Sequence, residues 1–258
     1  TTSSTTSETT STTSTDPVNP TTTSVYYSIE SVPGYYFSHD DGTRANGVKG
    51  GFEKGQISSL MKHTVNADGT VTDEEVALDN VNFGSETPAS KYDARFGGKT
   101  ENKDPKLEDY KYDVEVYNGS EALLDVDGKP IVVTAYIGVK GDTNLDNIVD
   151  GTDASETLTY YAKCSVNDNT PDTVQLSSSA WVTGPTDELD NLSAFLSDVD
   201  TNEWSATNWS TPKKVRELDA SDASGILTYY AYASATEGAH AGMSSRELWN
   251  EIVPNRFG

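Results

Sequence analysis

The chain has 258 residues, 41 of them acidic against 18 basic, for a net charge of −23 and a pI near 4.2. That balance excludes nucleic acid and anionic membrane as partners, since both need Lys/Arg patches. No run of about 18 apolar residues is present, so no membrane-spanning helix is expected, and a single cysteine, Cys164, excludes an internal disulfide.

Residues 1–24, TTSSTTSETTSTTSTDPVNPTTTS, hold no aromatic residue and are dominated by Thr and Ser. Such a tract cannot bury enough apolar surface to offset its chain entropy and is expected to be a disordered, stalk-like spacer. The remainder is long enough for one large or two ordinary domains.

Residues 25–140 read as β-rich. VYYSIESV and GYYFSHD are aromatic and β-branched runs split by Pro33-Gly34. Asp68-Gly69 and Asp127-Gly128 each sit between extended arms and predict hairpins. Tyr112, Val114 and Val116 alternate with Asp113 and Glu115, the period of a half-buried strand. The only helical signal covers Lys54 to Lys62. This half is expected to be an antiparallel β sandwich or elongated sheet. Its FSHDDGTRANGVKGG segment lacks the GK[ST] ending of a phosphate loop and reads as a surface loop.

The most informative stretch begins at Gly141. Asp142, Asn144, Asp146, Asp150 and Asp153 occupy positions 1, 3, 5, 9 and 12 of a twelve-residue loop, with the Ile148 carbonyl at position 7. An all-oxygen donor set on a short loop suits a hard cation of high coordination number, so Ca²⁺ is expected rather than Zn²⁺. Asn147 replaces the usual Gly at position 6, which Asn tolerates because it accepts a left-handed backbone. Asp153 replaces the usual Glu at position 12. A helix is expected from Ala154 to Lys163, with Ala154, Leu158 and Tyr161 on one face and Tyr161 packing inward.

Residues 150–162, DGTDASETLTYYA, return as DASDASGILTYYA at 219–231, with nine of thirteen positions identical. Asp219 and Asp222 then take positions 9 and 12 of a second loop, and Glu217 takes position 7. Its opening lies upstream as SDVDTN, with Asp198, Asp200 and Asn202 at positions 1, 3 and 5. The second loop therefore carries an insertion through about Glu203 to Val215, which costs only modest closure entropy. Short helices are expected in ELDNLSAFL and in SSRELWNEIV. The latter opens on a Ser244/Glu247 capping box and places Leu248, Trp249 and Ile252 in the core.

The paired loops ending in Asp, the LTYYA helices, and the strings YYSIESVPGYYF, YIGVKGD and AFLSDV resemble the X-module–dockerin tandem of ruminococcal cellulosomes. The resemblance covers about residues 25–254. It implies a multidomain chain: a β-rich X-module over 25–140, then a mostly α dockerin over 141–258 with two calcium-loop–helix repeats. It also implies two Ca²⁺ ions and, as partner, the cohesin of a cell-surface anchoring scaffoldin, bound 1:1 by a monomer.

By the same resemblance the cohesin meets Gly151, Thr152, Leu158, Thr159 and Lys163 of the first repeat. In the second it meets Ala220, Ser221, Leu227, Thr228 and Tyr232. The chain then reads as the C-terminal part of a secreted protein held at the bacterial surface, with the β module buttressing the dockerin and the insertion imposing a single binding orientation. Alternatives are a carbohydrate-binding β module or a fragment of a glycoside hydrolase. No HExxH or nucleophile elbow is present, and His39, His63 and His240 are scattered, so no catalysis is expected.

Overall fold

The structure, a computed structural model, describes residues 22–38, 56–88, 101–166, 169–200 and 212–253. The Thr/Ser tract up to residue 21 and the 39–55 segment lie outside these residues. Thirteen elements follow in order. The first five are strands: β1 (Thr22–Ser31), β2 (Gly34–Ser38), β3 (Ile57–Asn66), β4 (Val71–Glu75) and β5 (Val81–Pro88). Next come α1 (Leu107–Tyr110), β6 (Lys111–Asn118), β7 (Glu121–Ala122) and β8 (Val132–Val139). The chain closes with α2 (Gly151–Cys164), α3 (Glu188–Ser197), α4 (Ala220–Ala233) and α5 (Ser245–Ile252).

Two sheets form. One orders β1-β3-β4, all antiparallel; Tyr26 pairs with His63 and His63 with Asp73. The turn at Asp68-Gly69 joins β3 to β4 as the sequence predicts. Gly69 adopts φ +81, a conformation that glycine enters freely, and Asp68 accepts the Thr70 N–H at 2.9 Å. The helical signal over Lys54 to Lys62 is overridden, because Ile57 onward lies in β3 between two partner strands.

The second sheet orders β2-β8-β6-β5, with β7 added on β6. Its β6 alternates as expected: Tyr112, Val114 and Val116 are buried while Asp113 and Glu115 face outward. Its first pair is parallel, Gly34–Ser38 of β2 running beside Ala135–Val139 of β8.

The expected architecture, an antiparallel β module followed by a separate and mostly helical one, is corrected here. The chain is a single mixed α/β fold. One apolar core holds Tyr36, Phe37, Tyr112 and Ile137 of the strands together with Phe195, Leu196 and Trp249 of the helices. The Phe37 and Phe195 rings stack at 4.5 Å. A Cβ at Gly138 would stand 2.7 Å from Leu196 Cδ1, so only glycine lets α3 lie this close to β8. Periodicity marked these faces as apolar, but it carries no record of what covers them.

β8 runs directly into the first acidic loop. Gly141, at φ +92, gives its N–H to Leu196 O at 2.7 Å. Lys140 is fully buried, donates to Val199 O at 2.9 Å and lies over the rings of Phe37 and Trp249. The strand half also grips the loop: Tyr110 OH donates to Leu145 O at 2.6 Å and Asn102 N–H to Asp146 O at 2.7 Å.

Candidate metal sites and docking face

Position 12 closes each loop. Asp153 Oδ1 accepts the N–H of Thr143 at 2.7 Å and of Asn144 at 3.1 Å, the second and third loop residues, and Oδ2 accepts Asp150 N–H at 2.8 Å. Asp222 repeats this across the insertion: Oδ1 takes Val199 N–H at 2.9 Å and Asp200 N–H at 3.2 Å, and Oδ2 takes Asp219 N–H at 2.9 Å. The opening assigned to SDVDTN is thus joined to the distant DASDA half. Asp150 and Asp219 are the N-caps of α2 and α4, accepting Thr152 N–H and Ser221 N–H at 2.6 Å each.

Loop 1 turns where expected, with Asn147 at φ +68, and also at Leu145, at φ +66. A leucine there is not foretold by residue type; its fully buried side chain holds the strained backbone in place. Asp142 is fully buried. Its Oδ2 accepts Asn147 N–H at 2.8 Å, while its Oδ1 has no hydrogen-bond partner. An orphaned, desolvated carboxylate oxygen is what a cation ligand looks like before its ion.

Burial holds the Asp142 carboxyl well above the usual range, aided by the charges of Asp153 and Asp146. Burial likewise pushes Asp153 up to about 7 against its three N–H bonds, and raises Asp146. Asn144 and Asp146 are half-buried and bond each other at 3.0 Å, and Ile148 is exposed with its N–H on Asp146 Oδ1.

Loop 2 converges more tightly. Carboxylate oxygens of Asp198, Asp200 and Asp222 lie within 4.8 Å of one another, the only such trio among the described residues. That spacing suits oxygen ligands at about 2.3–2.6 Å from a shared Ca²⁺. Burial pushes Asp222 up to about 7 and raises Asp198 despite its bond from Arg216 Nη1 at 2.9 Å. Glu217 is exposed beside the loop, and Asn202 lies outside the described residues. Among the described residues only Asp198, Asp200 and Asp222 of loop 2 converge closely enough to share a calcium ion; Asp142, Asp146 and Asp153 of loop 1 carry the same hard oxygen donors without that spacing.

The helices that follow pack side by side. α2 begins at Gly151, earlier than expected, because Asp150 caps it. Its inward face is Asp153, Ala154, Thr157 and Tyr160. The expected inward packing of Tyr161 is corrected: it is 40% exposed, beside Leu158 at 48%. α4 does the same, burying Asp222, Ala223, Ile226 and Tyr229 while leaving Leu227 53% and Tyr230 41% exposed. Each LTYY therefore shows solvent its Leu and second Tyr. The doubled tyrosine hid which one faced out; a count from the capping Asp would have found it.

Of the residues assigned to a partner surface, Thr152, Leu158, Thr159 and Lys163 are exposed and Gly151 half-buried. Ala220, Ser221 and Leu227 are exposed, and Thr228 is half-buried with its hydroxyl on Ser224 O at 2.7 Å. Tyr232 is half-buried and stacked on His240 at 3.6 Å. The second set differs from the first in its surroundings. Ala220, Ser221, Thr228 and Tyr232 line a groove whose other wall is Glu251, Ile252 and Val253 at the end of α5.

Two other clusters bear on function. Ser28 Oγ lies 2.8 Å from His63 Nε2, and His63 Nδ1 lies 2.7 Å from Asp73 Oδ1, a trio the scattered histidines did not announce. The trio spans three neighbouring strands on an open sheet face. The adjacent main-chain donor that an acyl-transfer site would need, Tyr27 N–H, is spent on Leu124 O at 2.8 Å. With Tyr26 stacked on His63 at 4.5 Å, it reads as a cross-strand polar ladder. Of the strand tyrosines, Tyr36, Tyr112 and Tyr136 are buried, while Tyr26, Tyr27, Tyr35 and Tyr117 are half-buried.

No protein-family model matches the chain, and no curated protein matches it.

Proposed function

We propose that this chain is a calcium-dependent docking module of dockerin type. It binds a cohesin domain of a cell-surface anchoring scaffold, 1:1, and so tethers a secreted protein to the bacterial exterior. The observation that carries this reading is the duplicated face itself. Two acidic loops, closed in the same way by Asp153 and Asp222, each aim a helix that exposes a Leu and a Tyr at equivalent positions. An apolar stripe displayed twice on a polar, acidic surface marks a partner site rather than scattered surface hydrophobes.

Chemically, the ion would neutralise Asp142, Asp146 and Asp153 in the first loop and Asp198, Asp200 and Asp222 in the second. The chain's own groups do the rest. The capping carboxylates of Asp150 and Asp219 fix where each helix starts, and the buried Tyr160 and Tyr229 fix its rotation, leaving Leu158, Tyr161, Leu227 and Tyr230 outward. The sheet half acts as a buttress through the shared core. Binding to a panel of cohesins with and without EGTA tests the proposal. Tight binding lost on chelation is expected; no binding to any of them in saturating calcium would sink it.

A further inference from the structure

The two loops differ at one point. Asn147 and Arg216 are equivalent, each six residues ahead of its position-12 Asp (153 − 147 and 222 − 216). In loop 1 the main-chain N–H of position 6 donates to Asp142 Oδ2. In loop 2 that N–H is given to Lys213 O at 3.0 Å, because the inserted segment returns through a 3₁₀ turn at Lys213–Val215. The side chain reaches instead: Arg216 Nη1 meets Asp198 Oδ2 at 2.9 Å, with the two side chains only 4% and 5% exposed.

The guanidinium lies 5.2 Å from the centre of the Phe195 ring, and the buried Lys140, bonded to Val199 O, adds a second positive charge nearby. Loop 1 has no counterpart. Among the described residues no ion pair to a Lys, Arg or His involves Asp142, Asp146, Asp150 or Asp153.

Resting on the calcium-loop reading above, we propose that Arg216 is a resident counter-charge of the second loop. It keeps that loop closed and α4 capped when calcium is absent, so that calcium loss opens the first loop and α2 alone. A buried carboxylate stays ionised only with a partner, and a stacked, hydrogen-bonded guanidinium is a partner that does not dissociate. Among the described residues loop 1 has no such partner. The same fixed charge also repels an incoming cation, so the second loop binds calcium the more weakly of the two.

Hydrogen exchange on the full chain, in calcium and in EGTA, tests this. In the wild type, EGTA is expected to accelerate α2 amides on the order of tenfold or more while α4 changes less than about threefold. R216Q, matching wild type in calcium, is expected to lose α4 protection together with α2 in EGTA, and R216K to retain it. Equal loosening of both helices in the wild type would overturn the proposal without any variant. So would R216Q that keeps α4 protected in EGTA, since packing of α5 on α4 would then suffice. Chelation that loosens neither helix overturns the calcium reading itself.

Discussion

Asp153 and Asp222 hold the same three kinds of main-chain N–H: those of loop positions 2 and 3, and that of the helix N-cap. One does so within a continuous twelve-residue loop and the other across an insertion. Each carboxylate is fully buried, so its loss strands three donors at once.

Asp153→Ala and Asp222→Ala are each expected to destabilise the chain by about 3 kcal/mol or more in saturating calcium. Urea unfolding measures this, and calorimetric titration should show one calcium site lost in each. Either variant keeping both sites and wild-type stability would contradict the closure role.

The groove beside α4 is walled by α5, whereas the groove along α2, at Thr159 and Lys163, is walled by residues 175–178. The two faces are therefore not interchangeable, and docking is expected in one orientation with α2 leading. Leu158→Asp should weaken cohesin binding by more than tenfold and Leu227→Asp by clearly less, as hot spots concentrate where a pocketed anchor is lost. Equal losses, or two populations of complex in a crystal or single-molecule record, would refute the single orientation.

Asp153 and Asp222 have folded-state values near 7, above the ordinary unfolded value of about 3.9, and Asp142, Asp146 and Asp198 are raised too. A raised carboxyl binds more protons folded than unfolded, so its contribution is full below about pH 4 and is lost as pH climbs through 7. In EGTA, Tm should fall between pH 5 and pH 7.5. In calcium, which binds only the ionised form, the fall should vanish or reverse. A Tm that rises with pH in EGTA would show these carboxyls are not what limits the metal-free fold.

Lys213 and Asp190 form a fully buried ion pair. Asp190 also takes the N–H of Leu176 and Ser177, and Lys213 donates to Val174 O at 2.8 Å. The pair bolts the return of the insertion and the 174–177 connection to α3. Lys213→Ala leaves an uncompensated carboxylate and should cost about 3–5 kcal/mol in denaturant unfolding. Lys213→Met paired with Asp190→Leu should recover part of that loss. A single variant costing under about 1 kcal/mol would remove the bolt from the account.

Much of the site was legible because its chemistry is local. Asp142 through Asp153 are spaced by the loop itself, and the repeat led from them to Asp219 and Asp222. Asp198 was found because SDVDTN repeats the 1-3-5 spacing. Arg216 was not, since its bond to Asp198 depends on how the insertion folds back. The strand alternation of Tyr112, Val114 and Val116 was legible for the same local reason. The parallel pairing of β2 with β8, and the seating of Phe195 on Phe37, are contacts between residues about a hundred or more apart. No short-range pattern encodes them, and they are what turned two expected modules into one fold.

Gly138 has a practical consequence. With Leu196 lodged against its bare backbone and Lys140 threaded between Phe37 and Trp249, the helical pair is not portable. A fusion partner given only residues 141–253 would inherit Phe195, Leu196 and Trp249 without their cover and would be a poor, sticky tag. An engineer wanting this connector should transplant the sheet along with it, and should leave position 138 untouched.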